Sequence, residues 1–98
     1  MKLRLSEQAQ EDIERIDAWW AEHRPKNPLC FRQELVEALE HMEATPTLAG
    51  TYTSTSGRKY WKLPLRKSRE VIYYEYFPAE QLVAVVTISS PVHGGPDL

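Results

Sequence analysis

With 98 residues, a hydrophobic fraction of 42% and a formal net charge of −2, the chain has the length and apolar content of one folded domain and is too apolar for disorder. A domain of this size buries about 60–65% of the surface its unfolded chain would expose, so a single core is the limit. Its charge is too low for a protein that coats nucleic acid, no apolar run approaches the roughly 20 residues of a membrane span, and the opening Met1–Ser6 is too poor in apolar residues for a signal peptide. The composition therefore predicts a cytoplasmic domain over 1–98, and the lone Cys30 excludes an internal disulfide or a cysteine-built metal site.

Lys2-Leu3-Arg4-Leu5 alternates polar with apolar, the period of a short strand with Leu3 and Leu5 buried. Ser6 offers an N-cap oxygen. Ala9, Ile13, Ile16 and Trp20 then recur at helical spacing, predicting an amphipathic helix from about Glu7 to His23, with Glu7, Glu11 and Asp12 suited to its positive end. Arg24-Pro25-Lys26-Asn27-Pro28 breaks it, and Asn27 before Pro28 reads as a cap and first-turn proline starting a second helix. That helix buries Phe31, Leu35, Leu39 and Met42. So short a connection predicts an antiparallel helical hairpin.

Thr45-Pro46 ends the helical region, and the Thr- and Ser-rich stretch from Gly50 to Gly57 reads as an exposed loop. The period then changes to two. Across Tyr60–Leu65, the residues Trp61, Leu63 and Leu65 point one way, and Tyr60, Lys62, Pro64 and Arg66 the other. Val71–Phe77 forms the next strand, with Ile72, Tyr74 and Tyr76 inward and Val71, Tyr73 and Glu75 outward. Pro78-Ala79-Glu80 makes a turn. Leu82–Ser89 is apolar on both faces, as a strand inside a sheet would be. The predicted fold class is α+β, in the order β-α-α-β-β-β, with the helical hairpin covering one face of a small antiparallel sheet.

Charge is distributed unevenly along this frame. Residues 1–43 carry a net −4, residues 44–69 carry six bases and no acid, and residues 70–98 carry a net −4. All six bases fall between Arg58 and Arg69. A chain that is mildly acidic overall and basic in one patch can meet a polyanion or an acidic peptide locally. On the face opposite the helices the sequence gathers Tyr60, Lys62, Arg66, Tyr73 and Glu75, with Arg58, Lys67 and Arg69 near its ends. Cations interleaved with aromatic rings suit single-stranded nucleic acid, since cations meet phosphates and rings stack on bases. The plainer reading is a solvated strand whose charges guard an edge. His23 and His41 lie near helix ends, where a partial positive charge is favourable. His93, in the glycine-bearing tail, is positioned to reach the open face as an acid or base. Trp19 beside Trp20 packs the hairpin and leaves one ring at its rim. No metal-ligand spacing or phosphate loop is present, and the residues call for no cofactor.

The chain resembles the toxins of the RelE/ParE superfamily from bacterial type II toxin–antitoxin systems. The resemblance spans nearly the whole chain: Leu3-Arg4-Leu5-Ser6 with Ala9 and Ile13; Asp17-Ala18-Trp19-Trp20; the linker Arg24–Pro28; Phe31–Leu35 running to Pro46; Leu63-Pro64-Leu65; Tyr73-Tyr74; and the tail from His93 to Leu98. It implies a growth-arresting toxin held inactive by an antitoxin encoded alongside, of the kind associated with plasmid stabilisation. The target differs within the superfamily, which contains ribosome-dependent mRNA endonucleases and poisons of DNA gyrase. By resemblance, Lys62, Arg66 and His93 occupy plausible catalytic places for a nuclease. Arg58, Tyr60, Lys62, Arg66, Lys67, Arg69 and Tyr73 would bind target or antitoxin. Such endonucleases usually carry an arginine on the final strand, where this chain has Ser89 and Ser90. A cation at that place would offset charge developing on the scissile phosphate, so its absence favours gyrase. A toxin-derived binding module without toxicity is the remaining reading.

Overall fold

In a computed structural model, described here for residues 2–90, 96 and 98, Ser6 caps the first helix and fastens it to the sheet. Its Oγ accepts the Ala9 N–H at 3.0 Å and donates to the Val86 carbonyl at 2.5 Å. Strand β1 (Lys2–Leu5) leads through this cap into α1 (Glu7–His23), and α2 (Cys30–Ala44) follows. Four further strands are β2 (Gly50–Thr53), β3 (Lys59–Pro64), β4 (Val71–Phe77) and β5 (Leu82–Ser89). They form one sheet in the order β1-β5-β4-β3-β2.

The α+β class and the hairpin-on-sheet arrangement are as the sequence predicts, and three details differ. Residues 50–53, expected in a loop, form β2 against β3. Thr51, Tyr52 and Thr53 have the β-branched and aromatic side chains that fit a pleated surface, and this local preference outweighs the loop-like composition around them. The β1–β5 pairing is parallel, whereas β2 to β5 make an antiparallel meander. With β1 along its outer side, β5 becomes an interior strand, which explains its apolar residues on both faces. Finally, α2 starts at Cys30 after Leu29, with no side-chain cap. The Cys30 N–H bonds the Asn27 carbonyl at 3.3 Å, and the first full helical bond runs from Gln33 to Leu29 at 2.9 Å. Asn27–Leu29 therefore closes a tight turn and cannot serve as the first helical turn.

The core lies between the helical pair and one face of the sheet. Phe31 and Met42 from α2 meet Ile72, Tyr74, Val83, Val85 and Ile88, all essentially inaccessible, while Trp61, Leu63 and Tyr76 pack against its margin. Each fully buried Phe, Leu, Ile or Met side chain contributes about 1.5–3 kcal/mol through apolar burial. The helices are also tied by an Arg32–Asp17 ion pair. Burial pushes the Tyr74 hydroxyl up to about 12, and this phenol donates to the Pro46 carbonyl at 2.7 Å, anchoring the exit from α2. Cys30 is 4% exposed, and its burial, with Glu34 nearby, raises the thiol. It behaves as a packing residue.

A β-bulge falls opposite Tyr73 and Tyr74, which pair with Thr87 and Val85 and leave Val86 extra in β5. The bulge matters because β1 reaches only as far as Val85. Past that point α1 seals the edge of β5: Ser6 takes the Val85 and Val86 carbonyls, and Asp12 takes the Ile88 N–H. Among the described residues no helix is long and apolar enough to cross a membrane.

Candidate target-binding face

The face of the sheet turned away from the helices is built around one row running from β2 to β5. Gly50 pairs with Lys62, Lys62 with Tyr73, and Tyr73 with Thr87. Lys62 is half-buried, because its stem lies across Gly50: a Cβ built there would sit 3.3 Å from the lysine Cγ and Cε. The stem is thus held against the strand, the way long amphipathic side chains cover a surface with their methylenes. The Tyr52 and Tyr73 rings meet edge to face at 5.2 Å, and the Tyr52 hydroxyl donates to the Pro96 carbonyl at 3.1 Å. Pro96 and Leu98 are half-buried, and both line a cleft with Thr87 and Ser89.

Aromatic rings on this face are thus less accessible than alternation alone predicts. Tyr73 is 3% exposed and Tyr60 8%. Burial, reinforced by Tyr52, raises the Tyr73 hydroxyl, which stays protonated at neutral pH and is unsuited to act as a base. Tyr52 belongs to the face, and the Thr-Tyr-Thr alternation is the signal that reveals it; Thr87, in the same row, is buried with its hydroxyl on the Asp12 carboxylate of α1 and serves the edge of β5.

The basic stretch is split between two places. Arg58 folds onto Glu75, with Nε 2.8 Å from the carboxylate, and stands over the Tyr60 ring at 5.8 Å. Lys59 is exposed at the start of β3, and Lys62 holds the middle of the face. Arg66, Lys67 and Arg69 lie in the β3–β4 turn. Arg66 was expected on the open face beside Lys62, but β3 ends at Pro64, which has no N–H to continue the ladder. The turn leans instead toward α2. Arg66 and Lys67 line a shallow cleft with Glu34, Glu37 and His41. The Glu34 carboxylate accepts the Lys67 N–H at 2.8 Å and the Ser68 N–H at 2.7 Å. Two backbone donors converging on one carboxylate form an anion nest that pins the turn. Arg69 closes it at a left-handed φ of 63°, with its N–H on the Leu65 carbonyl at 3.1 Å.

The structure therefore gathers Lys62, Tyr60 and Tyr73 on one face, turns Arg66, Lys67 and Arg69 toward its helical margin, and neutralises Arg58. His93 lies outside the described residues. Strand β5 ends in Ser89, and no cation occurs from Leu82 to Ser90. Of the other histidines, His23 stacks on Trp19 at 4.7 Å and His41 contacts the Leu48 carbonyl at 3.0 Å, both structural places.

Residues 3–90 match the family model described as the ParE toxin of the type II toxin–antitoxin system parDE. The chain belongs to the ParE toxin family. No curated protein matches it in sequence. Among solved structures it is similar to a chain of the intact E. coli RelBE toxin–antitoxin complex, with a TM-score of 0.59 and 16% identity over 91% of this chain and 94% of that one. At that identity the likeness is one of fold. As a ParE-family toxin, the chain acts within a type II toxin–antitoxin system and has a cognate antitoxin as its partner.

Proposed function

We propose that this ParE-family toxin arrests growth by inhibiting DNA gyrase in the cytoplasm. The observation that carries the reading is the end of β5. Ser89 and Ser90 stand where an endonuclease of the wider superfamily usually carries an arginine, and no cation lies anywhere on that strand. A phosphate-cleaving site lacking one electrostatic stabiliser loses roughly 10²–10³-fold in rate. The neighbouring groups do not compensate. Tyr73 is a buried phenol with a raised pKa, Arg66 lies in the turn beside Glu34 and Glu37, and Arg58 is paired with Glu75. What remains suits binding: exposed Lys59 and half-buried Lys62 on the face, and exposed Arg66, Lys67 and Arg69 at its margin, none with a side-chain ion pair among the described residues. Such a surface engages a protein or polyanion by charge and shape, with no proton transfer required.

The alternative, a ribosome-dependent mRNA endonuclease using Lys62, Arg66 and His93, predicts a different cellular record. The 5′ ends of mRNA soon after induction, compared between the wild type and His93→Ala, distinguish the two. The gyrase reading expects DNA damage and lost supercoiling before bulk mRNA loss, with similar end profiles in both strains. Abundant cleavage within codons that disappears in His93→Ala overturns it.

A further inference from the structure

On the helical side of the sheet, the C-terminal half of α1 and the β3–β4 turn enclose a cleft of about 670 Å³ whose walls include neither Lys62 nor Tyr73. Its apolar side is Ile16, Trp19 and Trp20, and its polar side comes from Ser68 and Glu70. Trp20 packs partly on the core, whereas Trp19 is 43% exposed. An apolar wall facing a few convergent polar groups is the general form of a ligand site.

Two atoms of the polar side are unexplained by the fold. The Ser68 Oγ and the Glu70 Oε2 are buried and have no hydrogen-bond partner among the described residues. Leaving such groups unpaired is costly, more so for a carboxylate, and burial accordingly raises the Glu70 carboxyl, although Arg15 opposes the shift. Arg15 does not resolve the deficit: its Nη2 bonds the Asp12 Oδ1 at 3.0 Å, and none of its nitrogens bonds the Glu70 Oε2. Asp12 and Glu70 thus share one nearby arginine. Along the cleft Arg15 and Arg69 formally balance Glu22 and Glu70, so the unmet demand is local: two buried acceptors, the Glu70 Oε2 and the Ser68 Oγ, with no donor among the described residues.

We propose that this cleft receives an arginine side chain of a partner polypeptide. Its aliphatic stem lies along Ile16 and Trp20, and its guanidinium donates to the Glu70 Oε2 and the Ser68 Oγ. A carboxylate only accepts, so the occupant has to bring donors. A guanidinium presents several in one plane, enough to serve a carboxylate and a hydroxyl while stacking on an indole. An ammonium is a compact point charge that serves the same acceptors less well. The site is separate from the sheet face and stands whichever cellular target that face engages.

Titration of the ¹⁵N-labelled full chain with N-acetyl-arginine methylamide, and with the matching citrulline and norleucine derivatives, tests the assignment. Arginine should shift the indole N–H signals of Trp19 and Trp20 and the backbone signals of Ser68–Glu70. It should bind about fivefold or more tightly than citrulline, its neutral isostere, since charge-assisted hydrogen bonds are roughly twice as strong as neutral ones. Glu70→Gln should remove that preference while leaving the rest of the spectrum in place, and Ser68→Ala should weaken arginine binding in a chain that keeps Glu70. Equal binding of arginine and citrulline, a preference that survives Glu70→Gln, or no shift at these residues even at about 50 mM arginine derivative would overturn the proposal.

Discussion

The Asp12 carboxylate on α1 accepts the backbone N–H of Ile88 on β5 at 3.0 Å, beyond the point where β1 stops covering that strand. The same oxygen accepts the Thr87 hydroxyl at 2.5 Å, and Gln8 and Arg15 bond the other at 2.9 and 3.0 Å. A helix side chain thereby completes a sheet edge that the bulge at Val86 and the short β1 leave open, and buried backbone donors need such partners.

Asp12→Ala should therefore destabilise the fold by about 1–3 kcal/mol for each buried group it orphans, here the Ile88 N–H and the Thr87 hydroxyl, read as a lowered urea midpoint. The effect carries a pH signature. Burial opposes ionisation of Asp12, but the bonds from Thr87, Ile88, Gln8 and Arg15 outweigh it and hold the carboxyl below its ordinary value. A depressed carboxylate contributes stability that is full above its unfolded pKa and is lost as pH falls through the lower, folded one. The gap between wild type and Asp12→Ala should narrow on acidification, and a constant gap would count against this role.

Glu70 has the opposite sign. Its raised carboxyl binds a proton more tightly in the folded chain than in the unfolded one, so its charge destabilises the fold increasingly as pH rises through the folded pKa. Glu70→Gln should raise the melting temperature near neutral pH and have little effect below the carboxylate range. Thermal melts of the two chains across that range check both halves of the expectation.

Binding and folding should separate across the sheet. Lys62→Glu reverses the central charge of the open face and should abolish growth arrest, with a stability change within about ±0.5 kcal/mol apart from loss of its stem's contact with Gly50. Arg66→Glu, in the turn beside Glu34 and Glu37, should reduce arrest less. Phe31→Ala, in the centre of the core, should cost about 3–5 kcal/mol. Growth assays paired with melting curves read all three; full toxicity in Lys62→Glu would reduce the basic strand to a solvated face.

The turn itself supplies a fourth expectation. Glu34→Ala removes two charge-assisted bonds, each contributing about 1.5–3 kcal/mol before solvent weakens them, and frees residues 66–69 from α2. Amide hydrogen exchange at Lys67 and Ser68 should accelerate markedly while the core of β4 and β5 stays protected. Equal protection in both chains would show that the turn is held by its own backbone bonds, Leu65 N–H to the Glu70 carbonyl at 2.8 Å and Arg69 N–H to the Leu65 carbonyl at 3.1 Å.

Much of this architecture is legible in local patterns. The spacing of Ala9, Ile13 and Ile16 gives the buried stripe of α1, and the alternation through Trp61, Leu63 and Leu65 and through Ile72, Tyr74 and Tyr76 gives the core face of β3 and β4. The Ser6 cap can also be read directly. The features that escape depend on partners distant in sequence. Nothing near Asp12 says that it will be buried on β5, because its position among Glu7, Glu11 and Glu14 looks like a solvated helix face. Arg58 looks uncompensated until the β3–β4 pairing brings Glu75 beside it. Arg66 extends the alternation of β3 by one step past Pro64, and only the Glu34 bonds to the turn reveal that it has left the strand. Composition around Gly50 suggests a loop, although Thr51–Thr53 carry the preference of a strand.

Supercoiling of relaxed plasmid by purified gyrase, with the purified toxin added alone and then with its cognate antitoxin, tests the central claim most directly. Inhibition that rises with toxin, is relieved by antitoxin and is lost in Lys62→Glu is the predicted result. Full supercoiling at toxin concentrations that arrest growth, with intact antitoxin binding, would contradict it and direct attention to the ribosome and its mRNA.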